Sequence, residues 1–240
     1  MKIVALEFSS SRRSVAVLEA FGRDELHESQ SPGDGTGTRR ARPSEVLAEQ
    51  AEAAGQDVPP LRLVERALAE AKVERGQIEC VAVGLGPGSY TGIRGAIALA
   101  QGWQLAKGIK LVGISSVECI ASQAQAEQLF GAVGVVVYAQ RGEYYLEKYE
   151  ISQKSIKITY KLNIISLTEL KKDQKSCNFV IGPEEECEFK VGRVIFPGAA
   201  VLGRLAAAKT DFIPGEKLEP VYLREASFIK SPPSRFFPPA

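Results

Sequence analysis

Glycine and hydroxyl residues crowd one segment of the 240-residue chain, Val83-Gly84-Leu85-Gly86-Pro87-Gly88-Ser89-Tyr90-Thr91-Gly92-Ile93-Arg94. Glycines let the backbone turn sharply after the apolar run before them, and a Ser or Thr then caps a helix. Exposed N–H groups at such a helix start suit an anion. The named phosphate motifs are nevertheless incomplete. No G-x-x-x-x-G-K-[ST] is present, and Gly84-x-Gly86-x-x-Ser89 lacks the last glycine of the dinucleotide fingerprint. Pro87 and Thr91 flank Ser89, so the G-x-S-x-G elbow of serine hydrolases fails too. The residues leave a tight structural turn and a phosphate cradle equally open.

Other reactive side chains are few. The single histidine, His27, excludes any site that needs two imidazoles from one chain. Its neighbours Arg23, Asp24, Glu25 and Glu28 mark it as an exposed residue. Cys80, Cys119, Cys177 and Cys187 show no C-x-x-C spacing, which argues against a zinc site or a redox pair. Buried thiols in a reducing compartment fit them better. Glu7 ends the first apolar run, where it either holds a metal-bound water in a cleft or bonds to the adjacent turn. With Ser9 and Ser11 it forms the candidate set for a cofactor. No catalytic residue and no metal ligand is assigned.

The stretch after the glycine-rich loop has helical character and an unusual surface. Gly92, Gly95, Ala96, Ala98, Ala100, Gly102 and Ala106 cover most of it, with Leu99 and Trp103 as an apolar strip. A glycine inside a helix costs about 0.8–1 kcal/mol against alanine. Close approach of another backbone would offset that cost. The backbone could come from the chain's own sheet or from a partner's helix.

These residues need a frame. Ile3–Leu6 and Val15–Leu18 read as a hairpin across the Ser9–Arg13 turn, with a third strand near Leu26. Ser44-Glu45-Val46-Leu47 reads as a capped helix start, interrupted at Gly55 and Pro59-Pro60 and continued by Leu61, Val64 and Leu68. Strands follow at 78–84 and 111–114, with helices at 92–107 and 116–128. The second half starts again with strands at 133–139, 144–149 and 156–162. A helix near 167–171, a strand at 179–181 and a helix at 199–208 complete it. Each half is thus three meandering strands followed by alternating helix and strand. That order favours a duplicated α/β architecture over one doubly wound sheet.

Composition sets the outer limits. Hydrophobic residues make up 45% and charged residues 25%, enough for a real core and against a largely disordered chain. Thirty basic against 29 acidic side chains leave a net charge of +1, without the surplus an unaided tRNA or DNA binder uses to displace counterions. The basic cluster Arg39-Arg40-Ala41-Arg42 reads as a solvated charge run in a Gly/Ser/Pro-rich loop, and the tail from Ser231 to Ala240 is proline-rich. The first apolar run is too short for a signal peptide and is broken by Glu7, and the longest apolar stretch, 131–139, is far short of a membrane span. A cytoplasmic protein with no membrane contact is expected.

At Gly86-Pro87-Gly88-Ser89-Tyr90-Thr91-Gly92-Ile93-Arg94 the chain resembles the TsaB (YeaZ) family. The resemblance continues through Ala98-x-x-x-Gly102, Val112-Gly113-Ile114-Ser115-Ser116, Gly142-Glu143-x-Tyr145 and Glu219-Pro220-Val221-Tyr222-Leu223-Arg224. It implies an actin-like ATPase (ASKHA) fold, α/β with two ribonuclease H-like halves of mixed sheets divided as 1–109 and 110–240, related to glycoprotease-like proteins. It also implies a non-catalytic subunit of the bacterial complex that makes N6-threonylcarbamoyladenosine in tRNA. On that resemblance the partner is a TsaD-type catalytic subunit, bound through Gly92, Gly95, Ala96, Leu99, Gly102 and Trp103. A second partner helix would lie within Ser44 to Val73. A TsaE-type ATPase joins through the complex, the same helices can pair two copies as a homodimer, and tRNA is met only through the assembly. The chain departs from the family pattern at Glu7, where Asp is usual, and at Tyr138-Ala139-Gln140, where Asp-Ala-Arg is common. Both departures bear on nucleotide binding in a vestigial cleft, and the region from 33 to 60 is expanded. The rival is an enzyme, either a glycoprotease-type peptidase or a small-molecule kinase. The first lacks paired histidines or an activated nucleophile, and the second has only Arg12-Arg13 and Glu7 as partial substitutes for its phosphate and metal groups.

Overall fold

The computed structural model describes residues 1–21, 44–52, 58–183, 188–189 and 191–223. The expected strand near Leu26, His27, the Arg39–Arg42 cluster, Cys187 and the proline-rich tail lie outside the described residues.

Strand β1 (Lys2–Glu7) is apolar because it runs through the middle of a sheet, buried on both faces. It pairs antiparallel with β2 (Ser14–Ala20), which pairs antiparallel with β3 (Ser44–Ala51). On its other side β1 runs parallel to β4 (Cys80–Gly84), and β4 parallel to β5 (Lys110–Ile114). The order of this sheet is β3-β2-β1-β4-β5.

The second sheet repeats that plan with β6 (Gly131–Tyr138), β7 (Glu143–Ile151), β8 (Ile156–Ser166), β9 (Phe179–Gly182) and β10 (Arg193–Val194). Its order is β8-β7-β6-β9-β10, with the two hairpin pairings antiparallel and the other two parallel. The duplicated α/β architecture read from the order of elements is therefore the architecture found.

Helices α1 (Pro60–Ala71) and α2 (Tyr90–Lys107) cover one face of the first sheet, with Leu63, Val64, Ile93, Ile97 and Ala100 in a shared core with β1 and β4. Helix α5 (Ala199–Ala208) covers the other face, and α3 (Ser116–Ala126) packs between α5 and the second sheet. Helix α4 (Leu167–Asp173) closes the far side of the second sheet through Leu170. Cys80 and Cys119 are free and buried, as their surroundings in the sequence indicated, and burial pushes the Cys80 thiol up to about 12.

Two expectations change. Ser44–Ala51 is not the start of a helix but the edge strand β3. Its register, Ser44 opposite Ala20 and Ala51 opposite Ser14, takes the third-strand place expected for the segment around Leu26. The helix begins only at Pro60, whose missing N–H costs nothing in a first turn. Glu52, just past β3, accepts two hydrogen bonds from Arg13 (2.5 and 2.7 Å) and one from the Val58 N–H (2.8 Å), which pins the run into α1. The division at 109/110 does not follow the sheets either. β5 belongs to the first sheet, and α5 lies on it although it comes late in the chain.

The end of the described chain also returns to the first half. The Ile213 N–H donates to the Leu111 carbonyl, Gln101 and Gln104 of α2 bond both backbone groups of Gly215, and Leu218 is buried in the α1/α2 core. The Val221 N–H donates to the Leu85 carbonyl, and the Tyr222 ring stacks on Tyr90 with centroids 5.5 Å apart.

Candidate functional site: a closed carboxylate and an open helix face

A cleft of about 650 Å³ opens between the β1–β2 turn, the start of α2 and the β6–β7 turn. Ser9, Ser10, Ser11, Ser89 and Thr91 line it from the first half, and Tyr138, Gln140 and Pro183 from the second. Ser9 and Ser11, two of the three cofactor candidates, are among its lining. Glu7 does not line the cleft. It is fully buried, and its carboxyl accepts from the Ser9 N–H (2.9 Å) and from Ser116 Oγ (3.0 and 3.2 Å). A Cβ on Gly84 would collide with that carboxyl, so the β4 glycine is what admits the longer glutamate side chain. Burial raises the Glu7 pKa, with the Ser9 and Ser116 hydrogen bonds pulling the other way. Of the two readings of Glu7, the structure shows the bond to the adjacent turn.

An actin-like nucleotide site would call for a magnesium ion held by a carboxylate at the end of β1. The residues here do not fit that group. The one carboxyl at the strand end is turned inward and engaged, and among the described residues that line the cleft none is acidic. The Ser89 hydroxyl is engaged as well, because it caps α2 by accepting from the Gly92 N–H (3.3 Å).

The loop into α2 is clamped on the β1–β2 turn. The Ser89 N–H donates to the Ser9 carbonyl (2.6 Å) and the Gly86 N–H to Ser116 Oγ (3.2 Å), while Ser116 N–H returns a bond to the Gly86 carbonyl (2.8 Å). A side chain at Gly88 or Gly92 would run into the Ser9 or Phe8 carbonyl. Gly92 therefore serves the chain's own packing. Ala96 is buried in the first sheet's core, and Leu99 and Trp103 are half-buried against it.

The opposite face of α2 is open. Nothing lies within 4 Å of a Cβ built on Gly95 or on Gly102. With Thr91, Ala98 and Leu105 they repeat at alternating steps of four and three along one helix face, and Leu105 is 92% exposed. Of the six partner-binding candidates, Gly95 and Gly102 face outward, Leu99 and Trp103 sit at one margin, and Gly92 and Ala96 point inward. Leu105 and the Tyr90–Arg94–Tyr222 group at the helix start were missed. The four–three spacing from Thr91 to Leu105 could have found the first. No local pattern brings Tyr222 to Tyr90.

Comparison with known proteins fits this picture. The family model described as TsaD, tRNA N6-adenosine threonylcarbamoyltransferase, matches residues 59–209. The Escherichia coli tRNA threonylcarbamoyladenosine biosynthesis protein TsaB is 26% identical over 192 residues, 73% of this chain and 83% of that protein. The Buchnera aphidicola protein of the same name is 33% identical over 89 residues, 37% of this chain and 42% of its own length. The solved YeaZ from Pseudomonas aeruginosa superposes with a TM-score of 0.65 at 22% identity, over 92% of this chain and 99% of that one, and so shares the fold. With a family model across residues 59–209 and TsaB as its relative in two organisms, the chain belongs to the tRNA threonylcarbamoyltransferase family, in the TsaB/YeaZ branch.

Proposed function

We propose that the chain is a non-catalytic subunit that docks on a TsaD-type transferase and activates it for N6-threonylcarbamoylation of adenosine 37 in tRNAs reading ANN codons. The observation that carries this reading is the outward face of α2, where Gly95 and Gly102 leave room for a second helix and Leu105 stands ready to be covered. Helix α1 lies on the same face of the sheet and supplies the second helix of the docking surface. The same surface would pair two copies of this chain when no partner is present.

The groups that a peptidase or a kinase would use have other duties. Glu7 is tied to Ser9 and Ser116, Ser89 caps α2, and Cys119 is buried with its pKa pushed up by desolvation. A net charge of +1 supports a subunit that meets tRNA through its partner, and a TsaE-type ATPase would join through the complex. Among the described residues no helix is long and apolar enough to cross a membrane.

The test is capture of the TsaD-type subunit from the same cell by wild-type, Gly95→Leu and Gly102→Leu chains. Wild type should retain it and both variants should lose it at a melting temperature no lower than that of wild type. Magnesium-dependent ATP turnover or peptide cleavage by the isolated chain would overturn the non-catalytic reading.

A further inference from the structure

The carboxyl at the end of β1 has no access to the cleft, yet it sits at the crossing of three elements. Glu7 is the last residue of β1, Ser9 begins the following turn, and Ser116 opens α3. Through Ser116 Oγ the contact passes to the Gly86 N–H, and through the Ser9 backbone to the Ser89 N–H, the residue that caps α2. We propose that Glu7 is a positioning residue for the docking helix. It fixes where α2 begins, and through that the register of Gly95, Gly102 and Leu105 against a partner. This rests on α2 being the docking helix.

The arrangement is specific to the length of a glutamate. An aspartate would withdraw the carboxyl by about 1.5 Å, which takes Ser116 Oγ from 3.0 Å to beyond hydrogen-bond reach. A glutamine keeps the length and one acceptor oxygen for the Ser9 N–H. Gly84 makes the space for this side chain, since the three atoms nearest to its absent Cβ all belong to the Glu7 carboxyl.

Amide hydrogen exchange on the isolated chain reads the anchor directly, because Gly86 and Ser89 each donate one of the bonds concerned. Glu7→Ala and Glu7→Asp should speed exchange at these two amides at least about tenfold, while β7 and β8 of the second sheet keep their rates. Glu7→Gln should return exchange to within about threefold of wild type. Unchanged rates at Gly86 and Ser89, or an equal loss of protection in both sheets for the Asp variant, would overturn the proposal. So would magnesium-dependent protection by ATP that is present in wild type and lost in Glu7→Gln, which would return the carboxyl to a metal-holding role. Capture of the partner by the Asp variant should fall about tenfold and be restored by Gln at a matched melting temperature. Full capture by the Asp variant overturns the proposal. If the wild-type chain captures no partner at all, the docking function falls, and exchange at Gly86 and Ser89 still decides whether Glu7 sets the start of α2.

Discussion

Helix α5 carries Ala199, Ala200, Gly203, Ala206, Ala207 and Ala208 in ten residues, and α2 carries Gly92, Gly95, Ala96, Ala98, Ala100, Gly102 and Ala106 in eighteen. Composition would treat them alike. In α5 the glycine lies against its own sheet, and a Cβ on Gly203 would run into the Leu18 side chain. In α2 only Gly92 is used that way, while Gly95 and Gly102 look out on empty space. A stripe of small residues says that something approaches closely. Only the direction of the missing side chain says whether it is the chain itself or another molecule.

That contrast can be broken by filling the two kinds of space. Gly203→Leu should cost about 3 kcal/mol or more, because the added atoms meet Leu18 in a closed core. Chemical denaturation would show it, and a variant as stable as wild type would put α5 in the same class as α2. Next in size is Glu52→Ala, which removes the carboxylate that accepts from Arg13 and from the Val58 N–H and should cost roughly 2–3 kcal/mol. The Arg13 hydrogen bonds hold the Glu52 pKa below the ordinary carboxylate value. Its contribution is therefore present above the unfolded-state pKa and is lost as pH falls through the lower folded one. The melting-temperature gap between wild type and this variant should close on acidification.

On α2 the effect should move from stability to affinity. Gly95→Leu or Gly102→Leu should not lower stability, and the better helix propensity should raise it by up to about 1 kcal/mol. Partner binding should weaken tenfold to hundredfold, the equivalent of about 1–3 kcal/mol of overpacking. Unfolding before loss of binding would move this face into the chain's own core. The smallest change sharpens the comparison further. Leu105→Ser, at a side chain 92% exposed, should be silent in thermal melts and cost about tenfold in partner affinity.

Glu7 and Glu52 supply a second contrast, of opposite sign. Burial raises the Glu7 pKa, so whatever stability its carboxyl contributes is complete below the unfolded-state value and is lost as pH rises through the folded one. Relative to Glu7→Gln, wild type should lose stability as pH rises above the ordinary carboxylate range. A gap between the two that stays flat across that range would mean that burial does not control this group.

Much of the fold was legible because strand and helix patterns are local. The helices at 92–107 and 199–208, the β1–β2 hairpin and the three-strand meander of the second sheet follow from apolar runs and from glycine or proline stops. β3 was not legible as a strand. Ser44-Glu45 looks like a helix cap with an acidic first turn, and the pairing with β2 that decides the matter is a long-range contact. At the site, the sequence could say that Glu7 has two possible duties and that α2 needs a neighbour. It could not say that Gly84 leaves the carboxyl its pocket, nor which way each α2 glycine faces, because both depend on how the first sheet packs.

The returning segment from Ile213 to Tyr222 sets an order in time. Leu218 completes the core beneath α2, more than a hundred residues after that helix has been made, and Gly215 and Tyr222 brace its flank. During synthesis at roughly 5–20 residues per second, α2 waits several seconds for these supports to leave the ribosome. On the proposed docking role, a nascent or truncated chain that stops short of Leu218 offers a partner an unfinished surface, and assembly waits until Leu218 has taken its place under α2.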